Sequence, residues 1–145
     1  YGLAGLRIGY GLARPDLADY INRVRQPFNV NSLAQAGALG ALKDQAFYEK
    51  TMALIHKGKK SIEMGLTQMG LVYLSSQTNF LLIKIPLKAQ WVYEAMLKKG
   101  VIIRSMQSYG LDEFIRVNVG LPKENQRFLR VLKQVLDNKR KDLGS

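Results

Sequence analysis

The sequence predicts an α+β fold: a small antiparallel sheet covered by helices, preceded by one further strand and helix. Three patterns predict it. Residues 114–120 alternate, with Ile115, Val117 and Val119 on one side and Phe114, Arg116 and Asn118 on the other, the period of a half-buried strand. Tyr48, Met52, Ile55, Lys59, Ile62, Leu66 and Met69 step by four and three, which lays them along one stripe of a long helix. The order of elements is strand, helix, two helices, then strand, helix, two strands and a helix, and it suits helices gathered on one side of a sheet.

Taken in order, residues 7–13 read as a strand. Pro15 suits a first helical turn and Asp16 adds a favourable charge there. Leu17, Tyr20, Ile21 and Val24 follow at helical spacing, so residues 15–25 are a short amphipathic helix, broken by Pro27. Ser32 with Gln35 three residues on is a capping-box pattern, and it opens a helix over 32–43. That helix is rich in alanine and glycine and reads as core. The long helix spans 45–69, with Lys59 the one polar intruder on its stripe. Gly58 and Gly65 weaken it, each by roughly 1 kcal/mol relative to alanine. Gly70 ends it. Its methionines read as core filler, and His56 lies off the stripe, at the surface.

Residues 71–74 are a candidate strand, 75–79 a turn, and Phe80–Ile85 an apolar strand ended by Pro86. Residues 88–99 form a helix with Val92, Ala95 and Met96 inward and Gly100 as its stop. Val101–Arg104 reads as a strand and 105–112 as a loop. Pro122 opens the last helix, whose buried stripe is Phe128, Leu129, Leu132, Val135 and Leu136. The polar tail after Asn138 is expected to fray.

Composition removes several kinds of chemistry. The 145 residues contain no cysteine and one histidine, which excludes disulfides, thiolate nucleophiles, Cys-based metal sites and His clusters. The longest apolar runs are too short to span a bilayer. A net charge of +11 raises the possibility of nucleic-acid binding. The positive residues are dispersed, though, and neither zinc-finger spacing nor an aromatic-rich basic strand is present, so a solvated lysine-rich surface explains the charge.

Three arginines stand at strand or turn edges beside apolar neighbours. Arg7 lies among Gly2, Gly5, Gly9 and Gly11. Its planar fork of donors matches phosphate, and glycines keep Cβ atoms out of a ligand's way. Arg116 sits on the polar face of a strand whose other face is buried, a fixed direction suited to a carboxylate. Arg104 ends the preceding strand, near Arg116 if the two strands form an antiparallel hairpin. On pattern alone each fits an ordinary surface arginine equally well.

The opening residues Gly2-Leu3, Gly5 and Arg7-Ile8-Gly9 resemble a segment of the fold-type I aminotransferases that use pyridoxal phosphate. The stretches Ser76-Gln-Thr-Asn79-Phe80, Gly100 to Arg104, Ser108-Tyr-Gly-Leu111, Phe114 to Gly120 and Glu124-Asn125 to Phe128 are similar to the C-terminal part of the histidinol-phosphate aminotransferases. The resemblance runs from Tyr1 to about Leu136, with consistent spacing; Val117-Asn118 stand where that family often has Ile-Thr. It implies that residues 1–30 are the tail of a large cofactor-binding domain and 31–145 the small C-terminal domain. It further implies transamination from L-histidinol phosphate to 2-oxoglutarate, giving imidazole acetol phosphate and L-glutamate, a homodimer, a cytoplasmic location, and neither nucleic acid nor membrane as partner.

By the same resemblance Arg7 holds the cofactor phosphate, Arg104 the substrate phosphate and Arg116 the substrate α-carboxylate. No metal is implied. L-Histidinol phosphate has no α-carboxylate, so Arg116 matters most for glutamate or takes the two anions in turn. The resemblance places the cofactor-bearing lysine two residues before Tyr1, so no catalytic residue is expected within this chain and the chain alone is expected to be inactive. Aromatic aminotransferases and threonine-phosphate decarboxylases share much of the pattern.

Overall fold

The computed structural model describes residues 1–143, with side chains through residue 139. It divides into two compact units, Tyr1–Met52 and Ala53–Ser145.

The first unit holds a 3-10 turn at Ala4–Leu6, then α1 (Pro15–Val24), α2 (Ser32–Lys43) and the start of α3 (Gln45–Gln68). Residues 8–14 form no strand, which corrects the expectation over 7–13. A strand needs a neighbour to take its backbone hydrogen bonds, and none of the described strands pairs with this segment. α1 begins at its proline as expected, with Arg14 held extended by the proline that follows it. The cap of α2 is Asn31 rather than Ser32. Its Oδ1 accepts from the Ala34 backbone N–H at 2.8 Å, while Gln35 Nε2 reaches back to the Val30 carbonyl at 3.3 Å. Asp44 does the same work for α3, accepting from the Phe47 N–H at 3.0 Å. α2 is not core in this chain: only Ala34 is buried, while Leu33, Leu39 and Leu42 face solvent.

The second unit is built on a four-stranded antiparallel sheet of order β1-β2-β4-β3, comprising β1 (Tyr73–Leu74), β2 (Phe80–Lys84), β3 (Arg104–Ser105) and β4 (Phe114–Asn118). The two edge strands are two residues long; Val101–Ile103 precede β3 without joining the ladder. Leu81 pairs with Val117 and Ile83 with Ile115, and these four residues point into one core. Helix α4 (Ala89–Lys98) adds Ala89, Val92 and Met96, α3 adds Ile62 and Leu66, and α5 (Pro122–Leu143) adds Phe128, Val131, Leu132, Val135 and Leu136. Burying one such side chain contributes about 1.5–3 kcal/mol. α5 stays helical through Leu143, past the tail expected to fray from Asn138; residues 144 and 145 lie outside those described.

Two glycines expected merely to weaken α3 are packing devices. A Cβ on Gly58 would lie 2.5 Å from Val119 Cγ1 and 2.9 Å from Asn125 Nδ2. One on Gly65 would lie 2.5 Å from a Leu129 methyl group. Glycine at both positions lets α3 approach the end of β4 and α5 at backbone distance.

Candidate functional site

One face of the sheet is buried against helices, and the residues of the other face are half-buried or exposed. Leu74, Leu82, Arg116 and Arg104 follow one another in register across the four strands on that second face. Phe80 and Asn118 make the next pair, and Lys84 and Phe114 the one on the other side. This face is therefore apolar apart from its charged and amide groups, and the alternation of β2 and β4 selects which residues line it.

Arg104 and Arg116 are direct cross-strand partners, which brings the two expected anion-binding residues together. Like charges in that relation repel, and the cost is offset when an anion lies between them. Arg116 is held by its surroundings. Its guanidinium carbon lies 4.9 Å from the centroid of the Phe80 ring, its diagonal neighbour on β2. Its Nε is buried and has no hydrogen-bond partner. An unmade bond at a buried donor costs about 1–3 kcal/mol, and a ligand acceptor is one way to close it. Arg104 is more exposed; its Nη2 donates to Tyr109 Oη at 3.2 Å, and its guanidinium carbon lies 5.4 Å from the Tyr109 ring centroid.

Behind Phe80 lies a clamp that the stripe pattern did not disclose. Lys59 Nζ donates to the Ser76 carbonyl at 2.6 Å and to the Thr78 carbonyl at 3.2 Å, tying the turn before β2 to α3. The polar intruder on the helix stripe is thus a tether. After β4, Asn125, only 3% exposed, accepts from the Gly120 N–H at 2.9 Å and donates to the Gly120 carbonyl at 3.0 Å. The Leu121 N–H donates to Glu124 Oε2 at 2.6 Å, which caps α5. Both ends of the Phe80–Arg116 pair are held in this way.

Arg7 lies in the first unit. It has positive φ, at 59°, and its Nη1 donates to the Ala4 carbonyl at 3.2 Å. Space is open where a Cβ would project from Gly2, Gly5, Gly9 or Gly11. Beside this stretch is an apolar hollow of about 350 Å³ lined by Tyr1, Leu3, Ile8, Gly9, Tyr10, Ala38 and Leu42. Among the described residues, none of Arg7, Arg104 and Arg116 forms an ion pair, and no group of His, Asp or Glu could hold a metal ion. No helix among them is long and apolar enough to cross a membrane.

The residues missed by sequence reasoning are Lys59, Phe80, Tyr109 and Asn125 in these supporting roles. Phe80, Tyr109 and Asn125 lie inside the motifs quoted above. Their roles are pairings between separate elements, for which residue type alone carries no signal.

Residues 1–132 match the family described as Aminotransferase class I and II. Over 136 residues the chain is 48% identical to a histidinol-phosphate aminotransferase of Methylobacillus flagellatus, covering 94% of this chain and 37% of that protein. It is 49% identical to one of Desulfotalea psychrophila, covering 94% of this chain and 36% of that protein. The chain therefore spans little more than a third of the length of the curated relatives it matches. Among solved structures, the histidinol-phosphate aminotransferase of Clostridium acetobutylicum superposes with a TM-score of 0.80 at 31% identity, covering 94% of this chain and 43% of that one. The Sinorhizobium meliloti enzyme, solved in complex with pyridoxal-5'-phosphate, gives 0.69 at 26% identity, covering 95% and 39%. The L-threonine-O-3-phosphate decarboxylase of Porphyromonas gingivalis gives 0.72 at 27% identity, covering 94% and 44%.

Proposed function

This chain belongs to the class I and II aminotransferase family, and from that premise we propose that it is the anion-gripping part of a histidinol-phosphate aminotransferase. The reaction moves the amino group of L-histidinol phosphate to 2-oxoglutarate, yielding imidazole acetol phosphate and L-glutamate. The observation that carries the reading is the opposed pair Arg104–Arg116, set among Leu74, Leu82, Phe80 and Phe114 on one sheet face. Both substrates of this reaction bear anions, and two guanidinium groups lacking a carboxylate partner suit them.

Pyridoxal phosphate, when bound, supplies the electron sink that makes loss of a proton from the substrate carbon accessible. What this chain's residues contribute is grip and alignment. Arg7, in a glycine stretch with open space where Cβ atoms would stand, fits the cofactor's phosphate. Arg116, with its guanidinium carbon 4.9 Å from the Phe80 ring centroid, takes the α-carboxylate of glutamate through two parallel N–H···O bonds. Arg104 takes the phosphate of L-histidinol phosphate. Fixing the anions fixes the substrate carbon, and orientation of this kind lowers a barrier without any proton passing through the arginines. The same reading takes residues 1–30 as the tail of a large domain and 31–145 as a small one, in a cytoplasmic homodimer acting on small molecules.

A hybrid enzyme tests it, with this chain replacing the matching stretch of the Methylobacillus flagellatus relative. Turnover of L-histidinol phosphate is expected, with Arg116→Gln raising KM for 2-oxoglutarate tenfold or more, roughly the loss of one charged hydrogen-bonded contact. A folded hybrid that ignores L-histidinol phosphate and releases carbon dioxide from threonine phosphate would replace the reading with a decarboxylase, the activity of the Porphyromonas gingivalis neighbour.

A further inference from the structure

We propose that Tyr109 is a second, direct ligand of the phosphate, so that Arg104 and Tyr109 form one composite subsite for a phosphomonoester. The proposal rests on the reading of Arg104 given above.

Tyr109 ends the 3-10 turn Gln107–Tyr109, and Gly110 after it sits in the left-handed region at φ 73°. The turn folds the chain back after β3 and brings the phenol to Arg104, five residues earlier. In the 3.2 Å bond between them Arg104 Nη2 is the donor and the phenol oxygen the acceptor. A phenol carries one proton of its own, which this bond leaves unused. Among the described residues the Tyr109 hydroxyl bonds to no other side chain. Accepting from a cation polarises the O–H and strengthens it as a donor.

The guanidinium likewise spends one of its five donors on Tyr109 and retains the rest. The ring, 5.4 Å from the guanidinium carbon, limits the directions those donors can take. Held 3.2 Å apart, the two exposed side chains can each offer a donor to one bound anion. A carboxylate is planar, and a guanidinium fork alone satisfies both its oxygens. A phosphomonoester offers three terminal oxygens in a tetrahedron, so an oxygen remains for the phenol after the fork is used. The pair thereby favours phosphate over carboxylate, which separates the task of Arg104 from that of Arg116.

The test titrates the full 145-residue chain with ethyl phosphate, and with acetate as control, following the tyrosine ring and arginine guanidinium resonances by NMR. Tyr109 and Arg104 should move together with one dissociation constant. Tyr109→Phe keeps the ring and removes only the hydroxyl. It should weaken ethyl phosphate about tenfold, the scale of one hydrogen bond to a charged group, and leave acetate unchanged. Ethyl phosphate binding to Tyr109→Phe as tightly as to the parent would overturn the proposal and leave Arg104 as the phosphate residue. An equal loss for acetate would overturn it too, because the phenol would then only steady Arg104. If neither residue responds, both assignments fall. Turnover by the hybrid enzyme is read separately, so failure of the aminotransferase reading is distinguishable from failure of this subsite.

Discussion

The two units of this chain solve the placement of an arginine differently. In Tyr1–Met52 one residue is buried, Ala34, and α1 buries none although its apolar residues share a face. Leu12 is 93% exposed and Phe28 fully so. Arg7 is accordingly placed by short-range means, its own turn and one bond to Ala4. In Ala53–Ser145 a continuous core underlies the sheet, and Arg116 inherits its direction from strand register, a ring beneath it and tethers at both ends. A cation's geometry is thus as well defined as the packing under it. Arg116 is oriented by the packed sheet itself, whereas Arg7 is held by its own turn alone.

Substitutions that separate packing from local geometry test this contrast. The largest effect is expected from Leu132→Ala or Ile115→Ala, both fully buried: a loss of about 2–5 kcal/mol in urea denaturation. Leu39→Ala in the first unit should stay within about 0.5 kcal/mol, and an equal loss there would break the contrast. Gly58→Ala comes next. Its Cβ meets Val119 and Asn125, so about 1–3 kcal/mol of overpacking is expected, while Gly40→Ala, where space is open, should be neutral or stabilising.

Lys59→Met should cost about 1–2 kcal/mol by removing two bonds to turn carbonyls. Hydrogen exchange at residues 76–79 should then accelerate, and unchanged protection would mean that the turn stands without α3. Asn31→Ala should cost about 1 kcal/mol and shorten α2 by circular dichroism. Smallest of all, raising salt to about 1 M should cost little stability through ion pairs, because the four among the described residues are solvent-exposed.

Much of the second unit was legible from sequence. Alternation located β2 and β4, and the four-three stripe located α3, because both patterns are imprinted by burial on one side. What escaped was set by partners far along the chain. Residues 7–13 have the composition of a strand and lack a described neighbour to complete a ladder. Asn31 and Ser32 are both good caps, and only the backbone turn decides between them. By helix propensity Gly58 is a weak point, and only its contact with Asn125 makes it a packing device. By stripe pattern Lys59 is an intruder, and only the Ser76 and Thr78 carbonyls at its amine make it a tether. The candidate site divides the same way: Arg104 and Arg116 were visible as residues, but their opposition and their aromatic supports needed the folded register.

The shortness of the outer strands bears on solubility. A sheet face carrying Leu74, Leu82, Phe80 and Phe114 beside long open edges would be a template for strand addition and aggregation. Here β1 and β3 contribute two residues each, so the free rows of N–H and C=O groups are too short to recruit a foreign strand in register. Arg104, on one of those edges, adds a charge that opposes stacking of like copies. A partly exposed apolar face is thereby kept from becoming a nucleus for fibres.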